Sequence, residues 1–265
     1  MSLLEKLRKP FIVGTMSLGI LLGSFGCSKE QIKEPPSTMS LEQSITTSEF
    51  FKEFPNEIPG MASIERYNVE DAKHCLVHIR SVHYSDPENG EKWAHLQGVS
   101  EVIPWLTKHY SWINECQKNT YTLIDYLISN LDLQEIYVEG YTFDLNVEND
   151  LDIRTVKRYK EYIEKDLLKR GIKPEKGRDW SYVVGAPYIL FTESKINLLQ
   201  SENPEPYNAN LNFEHRLLEQ KGQIDGEEDY KEIKNKREDF LLDLISKRGV
   251  SYAVVWYGGG AFLVR

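Results

Sequence analysis

Hydrophobic positions in the first half of the chain follow a strand, helix, strand order. Residues 74–82 and Glu135–Glu139 are short runs rich in apolar and β-branched residues, and Gly140 closes the second run. Between them, apolar residues recur at steps of three and four from Leu123 to Leu131, which predicts a long amphipathic helix. A strand, a helix and a second strand in this order are typical of a βαβ crossover with parallel strands.

The second half of the chain has further alternation of helix and strand patterns. Helices are predicted at Asp152–Lys169 and Asp229–Lys247, each followed by a glycine suited to end it, and Tyr252–Tyr257 reads as a central strand. The segment Tyr182–Phe191 fits either a short strand broken at Gly185 or a buried helix with Pro187 in its first turn. The pattern as a whole predicts an α/β fold with a mainly parallel sheet flanked by helices.

The N-terminus has the pattern of an export signal. Three basic residues among the first nine precede an uncharged run, Pro10–Gly26, and Cys27 follows that run. Its apolar part is about a dozen residues long, shorter than the roughly 20 that a membrane-spanning helix needs. With cysteine first after the cleavage point, the segment resembles a bacterial-type lipoprotein signal, although such signals usually carry leucine where Ser24 stands. We therefore expect residues 1–26 to be removed and an acyl anchor, such as palmitate, to be attached to Cys27.

The predicted processing divides the chain into three parts. After the signal peptide 1–26, residues 27–47 are mostly polar and predict a flexible tether. Residues 48–265 are then expected to form one α/β domain, about 210 residues of foldable sequence. This organisation places the protein in the cell envelope, anchored to a membrane and facing the periplasm or the cell exterior.

Charge narrows the classes of partner. The chain has a net charge of −9, and removal of a signal with a net charge of +2 leaves −11. A negative total argues against a nucleic-acid surface, which needs clustered lysine and arginine. It also argues against attachment to anionic lipid through the protein surface, so the expected membrane contact is the lipid on Cys27.

Two cysteines remain in the predicted domain, Cys75 and Cys116. In an oxidising envelope they can form a disulfide, but only if their Cα atoms lie within about 7 Å. Two separately buried thiols are the favoured interpretation.

Candidate chemistry lies at the predicted strand ends, because open parallel sheets bind ligands beyond the carboxyl ends of their strands. The first strand end carries His78, Arg80 and His83, the second carries Glu139, and Gly258–Gly260 follows the last. Glu and His can act together as general base and acid, and two His with one Glu can instead hold a divalent metal. The histidines also fit polar caps of a strand, and the glycines fit a simple turn.

These strand-end residues resemble the TraB/GumN and erythromycin-esterase/ChaN-like superfamily. Arg80–His83 matches its opening Gly-x-x-His motif with Arg in place of Gly, and Glu139 matches its acidic residue. A helix led by Arg237 and a strand running into glycines match its closing unit, but Gly259–Ala261 stands where the family often has histidine. The resemblance implies an α/β fold and one of several activities: hydrolysis through a Glu/His pair, metal-dependent peptide cleavage, or haem and iron handling.

Two functions follow as expectations. In the first, Glu139 accepts a proton from water or holds a metal together with His78 and His83, His83 orients or protonates the substrate, and Arg80 stabilises negative charge. In the second, the same cleft binds a small molecule or peptide without catalysis, or the lipoprotein is structural. The missing terminal histidine favours the second function. The sequence assigns no cofactor beyond that optional divalent metal.

Overall fold

The computed structural model describes residues 17–23, 63–67, 74–82, 84, 86–142, 153–175, 179–219, 227–250 and 252–258. The strands are β1 (Ser17–Gly23), β2 (Ser63–Tyr67), β3 (His74–Ser81), β4 (Glu135–Thr142), β5 (Asn197–Glu202) and β6 (Tyr252–Gly258). The helices are α1 (Pro87–Leu96), α2 (Val102–Leu131), α3 (Ile153–Lys169), α4 (Ala186–Thr192), α5 (Pro204–Glu219) and α6 (Glu227–Arg248).

Four parallel strands form the centre of the fold in the order β3-β6-β4-β5. Val77 of β3 is paired with Val254, and Val138 of β4 is paired with Trp256, so β6 lies between β3 and β4. The predicted α/β fold is therefore confirmed. The two strands of the predicted βαβ crossover, β3 and β4, are not neighbours, because β6, the last described strand, lies between them. This insertion brings the carboxyl ends of β3, β6 and β4 together at one edge.

The sheet continues beyond β3 into the N-terminal part of the chain. β1 is antiparallel to β3, and β2 is parallel to β1. β1 lies within residues 1–26, so cleavage after Gly26 would remove it and leave β3 at the edge of the sheet. The signal peptide and the tether themselves stay predictions.

One face of the sheet packs against α2 and α4. The apolar stripe predicted for α2 is buried there, together with alternate residues of the strands, and each fully buried Leu, Val or Ile contributes about 1.5–3 kcal/mol. The main contributors are Cys75, Val77, Ile79, Leu123, Ile124, Leu127, Ile136, Val138, Leu190, Val254 and Trp256. This cluster fixes α2 across the sheet.

A buried amide ties α2 to both β3 and α4. The Gln117 side chain donates to the Val82 carbonyl at 2.6 Å and accepts from the Ala186 amide at 2.9 Å. Ala186 begins α4, whose first amides have no partner inside the helix, so Gln117 satisfies one of them. The side chain is completely buried, and a buried amide is stable only with such partners.

The other face of the sheet packs against α6. Leu76, Tyr137, Ala253, Val255 and Tyr257 contact Leu241 and Ile245 of that helix. A third apolar cluster joins α3 to the first half of α2 and to the turn at Trp180–Val184. The two sheet faces are thus covered by different helices, and the alternation of side chains along each strand decides which helix a residue meets.

Several local predictions are confirmed. Gly171 and Gly249 have φ values of 79° and 66° and follow α3 and α6 as left-handed caps. Pro187 lies in the first turn of α4, which decides the open choice at 182–191 in favour of the helix. Cys75 and Cys116 are separate buried thiols. Strands β1, β2 and β5 and helices α1 and α5 are additional elements that the pattern did not predict.

Candidate functional site

The candidate site lies on the α6 face of the sheet at its carboxyl edge. Since Leu76 of β3 faces α6, His78 and Arg80 alternate onto the same face. Arg80 is paired in register with Tyr257 of β6. The register of β4 with β6, in which Tyr137 is level with Val255, places Glu139 beside Tyr257 one step further along. The predicted strand-end residues of β3 and β4 therefore share a face with the end of β6.

Arg237 of α6 is buried over this edge and binds two carboxylates. Its Nε atom donates to Glu202 Oε2 at 3.0 Å, and its Nη2 atom donates to Glu202 Oε1 at 2.5 Å. The same Nη2 atom donates to Glu139 Oε1 at 3.1 Å. The Tyr257 hydroxyl donates to Glu202 Oε1. We call Glu139, Glu202, Arg237 and Tyr257 the Arg237 cluster.

Secondary structure fixes each member of this cluster. Arg237 is one turn before Leu241 and two turns before Ile245, so it is on the side of α6 that faces the sheet. Glu202 is the last residue of β5, and Glu139 is close to the carboxyl end of β4. The guanidinium of Arg237 also lies near two aromatic rings, 5.7 Å from the ring centroid of Tyr207 and 5.5 Å from that of Tyr257. Such contacts hold the guanidinium plane in place.

Burial and charge oppose each other at Arg237. Burial alone lowers the pKa of its guanidinium, but the hydrogen bonds to Glu202 and the charges of Glu202 and Glu139 outweigh it, so the pKa is raised. Burial, followed by the charge of Glu202, raises the pKa of Tyr257. Arg237 is therefore a permanent cation and Tyr257 a permanent hydrogen-bond donor near neutral pH.

His78 is a neutral neighbour of the cluster. Burial, followed by the positive charge of Arg80, lowers its pKa to about 3, and the opposing effect of the Glu139 carboxylate is smaller. β6 separates its strand from that of Glu139, a lateral distance of about 10 Å. The low pKa means that the imidazole is uncharged at neutral pH. The separation of the two strands means that the backbones of His78 and Glu139 are too far apart for neighbouring cross-strand contact.

The structure brings together only part of the predicted set. Glu139, Arg80 and His78 share the α6 face, whereas His83 and Gly259–Ala261 are outside the described residues. Within the described ranges, no group of three His, Cys, Asp or Glu side chains is arranged to hold a metal ion. Because His83 is not among the residues that the structure describes, the predicted His78–His83–Glu139 metal site stays a prediction.

Three members of the cluster, Glu202, Arg237 and Tyr257, are not among the site residues that the sequence predicts. Glu202 is the strongest partner of Arg237, but its strand β5 is a short run, Asn-Leu-Leu-Gln-Ser-Glu, with little apolar pattern. A carboxylate directly before Asn203 and Pro204 was the available sign of a strand end. Arg237 itself was noted as the start of a helix, but it lies in the middle of α6.

A groove of about 440 Å³ opens between α5 and α6. Two of its wall residues are direct chain neighbours of the Arg237 cluster: Asn203 follows Glu202, and Lys236 precedes Arg237. The remaining wall is formed by Glu205, Pro206, Ala209, Ile233 and Asp239. Its volume is within the range of small-molecule sites, about 300–1,000 Å³.

Comparison with known protein families, curated proteins and solved structures found no match. The superfamily resemblance therefore stays an expectation based on the residues named above. Within the described part of the chain, no helix is both long enough and apolar enough to cross a membrane.

Proposed function

We propose that this protein is a lipid-anchored lipoprotein of the cell envelope whose α/β domain binds a small cationic ligand. The supporting observation is the groove between α5 and α6, next to the Arg237 cluster at the carboxyl edge of the parallel sheet. Ligands of open α/β sheets occupy this edge because the strand ends and following loops converge there.

The groove favours an amine over an anion. Glu205 and Asp239 line it, and its one lysine, Lys236, is already paired with Glu232 at 2.8 Å. Apolar wall residues such as Pro206 and Ile233 suit a hydrocarbon chain next to the charged group. An aliphatic amine or a short lysine-containing peptide matches this combination of charges and apolar surface.

The state of the Arg237 cluster favours binding over catalysis. The Glu139 carboxylate accepts a hydrogen bond from a buried arginine that is held by a second carboxylate. A carboxylate oxygen that is held by a buried guanidinium is poorly placed to take a proton from a water molecule, as a general base must.

Thermal unfolding with two probes, spermidine and a Lys-Lys-Lys peptide, tests the binding site. At least one probe should raise the melting temperature of the wild type, and Ala209→Trp, which fills the groove, should lose that shift. Asn208→Trp is the matched control, because Asn208 is exposed on the same helix and is not part of the groove wall. No shift with either probe, or an equal shift in Ala209→Trp, would refute the proposed ligand class.

Membrane anchoring has a separate test. Cys27→Ser should abolish incorporation of labelled palmitate and release the processed domain from membranes on fractionation. Unchanged labelling and retention would exclude lipidation at this residue.

A Glu/His hydrolase is the second candidate, favoured by the shared sheet face of His78 and Glu139 and by the charge effect of Glu139 on His78. Its test is hydrolysis of p-nitrophenyl acetate by wild type, Glu139→Gln and His78→Gln. Turnover that both variants lose, with folding intact, would establish this candidate instead of simple binding. Elemental analysis of the same preparation decides whether a divalent metal accompanies that activity.

A further inference from the structure

Helix α3 departs from the charge of the rest of the chain. The whole chain has a net charge of −9, but the 17 residues of Ile153–Lys169 include six basic and three acidic residues. Only Val156, Ile163 and Leu167 of this helix are buried, and they form one stripe that packs on α2 and the Trp180–Val184 turn. The chain as a whole is negative, but the solvent-exposed side of α3 is therefore positive.

The basic residues form a line opposite to the buried stripe. Each residue of a helix is rotated by 100° from the one before it. The positions on the side opposite to Val156, Ile163 and Leu167, which faces solvent, therefore recur every three or four residues. They are occupied by Arg154, Arg158, Lys165 and Lys169, all exposed. We call these four residues the basic ridge, and it extends over about 22 Å of helix.

Most of this charge is not neutralised within the fold. Glu161 is within 3.6 Å of Lys165, while Glu164 and Asp166 pair with Lys160 and Arg170. Among the ion pairs of the described residues, none includes Arg154, Arg158 or Lys169. The ridge thus presents positive charge to solvent.

Apolar and aromatic side chains flank the ridge. Tyr162 and Leu168 lie on either side of the ridge and are 61% and 49% exposed, whereas Tyr159 packs edge-on against Tyr84. The apolar stripe of α3 packs on the protein, so its outer side offers the membrane lysine and arginine together with exposed tyrosine and leucine, which suit the headgroup region. A soluble polyanion would use the charges but not the exposed Leu168.

We propose that the basic ridge of α3 docks the domain on anionic phospholipid headgroups of the membrane to which Cys27 is anchored. This proposal rests on the anchoring part of the proposed function. A flexible tether of the length of residues 27–47 has a mean span of about 25 Å, which keeps the domain close to the bilayer. Lysine and arginine gain free energy within about a Debye length of an anionic surface, and docking orients α3 toward the membrane.

The test uses the full lipidated chain reconstituted into vesicles, with an environment-sensitive fluorophore on Leu168→Cys. Cys75 and Cys116 are buried and label slowly, so the probe reports the new site. We expect a blue shift of the emission in phosphatidylcholine/phosphatidylglycerol vesicles, no shift in phosphatidylcholine alone, and reversal at high salt.

Two fourfold variants with the same change of charge separate the ridge from a general charge effect. The ridge variant is Arg154→Gln, Arg158→Gln, Lys165→Gln and Lys169→Gln, and the control variant is Lys108→Gln, Lys118→Gln, Lys231→Gln and Lys247→Gln, all exposed positions outside the groove. The ridge variant should lose the blue shift and the control variant should keep it. Equal emission in both kinds of vesicle, or equal loss in both variants, overturns the proposal.

Two further readouts separate the possible failures. Flotation of the chain with neutral vesicles reports the lipid anchor alone, so a chain that floats but shows no blue shift refutes only the ridge. A chain that does not float with neutral vesicles, yet shifts with anionic ones, refutes only the anchor. A blue shift with soluble polyphosphate and none with anionic vesicles would assign the ridge to a soluble polyanion and overturn membrane docking.

Discussion

Arg237 and Glu202 form a bidentate ion pair between α6 and the end of β5, with contacts of 3.0 Å and 2.5 Å. The side chains are 7% and 0% exposed, so almost no solvent screens the pair. Buried ion pairs add little net stability compared with apolar packing, but removal of one partner leaves a charge without compensation. The pair therefore matters most when it is broken.

Arg237→Leu should lower the free energy of unfolding by about 3–5 kcal/mol, because Glu202 stays buried without its cation. Urea unfolding followed by circular dichroism measures the change. Lys236→Leu, at an exposed neighbouring position, should stay within about 0.5 kcal/mol of wild type. The double variant Arg237→Leu/Glu202→Leu should recover part of the loss, and a loss below about 1 kcal/mol in Arg237→Leu would contradict the ion-pair account.

Acid should destabilise the domain through His78. The folded state lowers the pKa of this imidazole from 6.5 to about 3, mainly by burial, so between these values the unfolded chain binds the extra proton. The contribution of His78 to the free energy of unfolding is fully present above the unfolded pKa of 6.5 and is lost as the pH falls toward 3. Lowering the pH from 7 to 5 should reduce the free energy of unfolding by about 2 kcal/mol.

His78→Leu tests this pH dependence, because the variant lacks the group that protonates on unfolding. Urea unfolding at a series of pH values should show a shallower acid dependence than wild type. His95→Leu, at an exposed position of α1, should keep the wild-type dependence. Parallel curves for wild type and His78→Leu would show that His78 is not the source.

Gln117→Leu should leave the Val82 carbonyl and the Ala186 amide without their present partners. Each buried group that loses a hydrogen bond costs about 1–3 kcal/mol, so the two groups predict a loss of about 2–6 kcal/mol. Differential scanning calorimetry should record a melting temperature lowered by about 5–20 °C. Gln97→Leu on the surface is the control, and similar melting temperatures for the two variants would argue against the bridging role.

Cys75 and Cys116 should react slowly with thiol reagents in the native protein. Burial raises the pKa of Cys75 to about 12, and burial with the charge of Glu115 raises that of Cys116 to about 11, so little thiolate exists at pH 8. A DTNB assay should show both thiols reacting rapidly only after denaturant is added. A rapid native reaction of either thiol would mean that its site opens without global unfolding.

Sequence patterns predicted helices α2, α3 and α6 and strands β3, β4 and β6 because their signals are local. The stripe from Leu123 to Leu131 has helical spacing, and Tyr252–Tyr257 is too apolar for the surface. The place of β6 between β3 and β4 is a long-range pairing, and no local pattern encodes it. β5 was missed for a different reason, since only two leucines interrupt its polar residues.

In the candidate site, residues at the ends of predicted strands could be identified from the sequence, and the residue on the unpredicted strand β5 could not. Glu139 and Arg80 were identified because they end apolar strands, and the structure places both on one face with Tyr257. Glu202 could not be identified without β5, although it is the main partner of Arg237. The hypothesis of a Glu/His pair rests on the position of both residues near strand ends. Position along a strand does not reveal which strands are neighbours, and in the sheet β6 separates β3 from β4.

The central place of β6 has a consequence for the order of folding. Until Tyr252–Gly258 is available, β3 and β4 have no strand between them, and the four-stranded sheet cannot close. The four-stranded sheet is therefore completed only after synthesis has passed residue 258. The last described strand, and not the first βαβ crossover, sets the final step of sheet assembly.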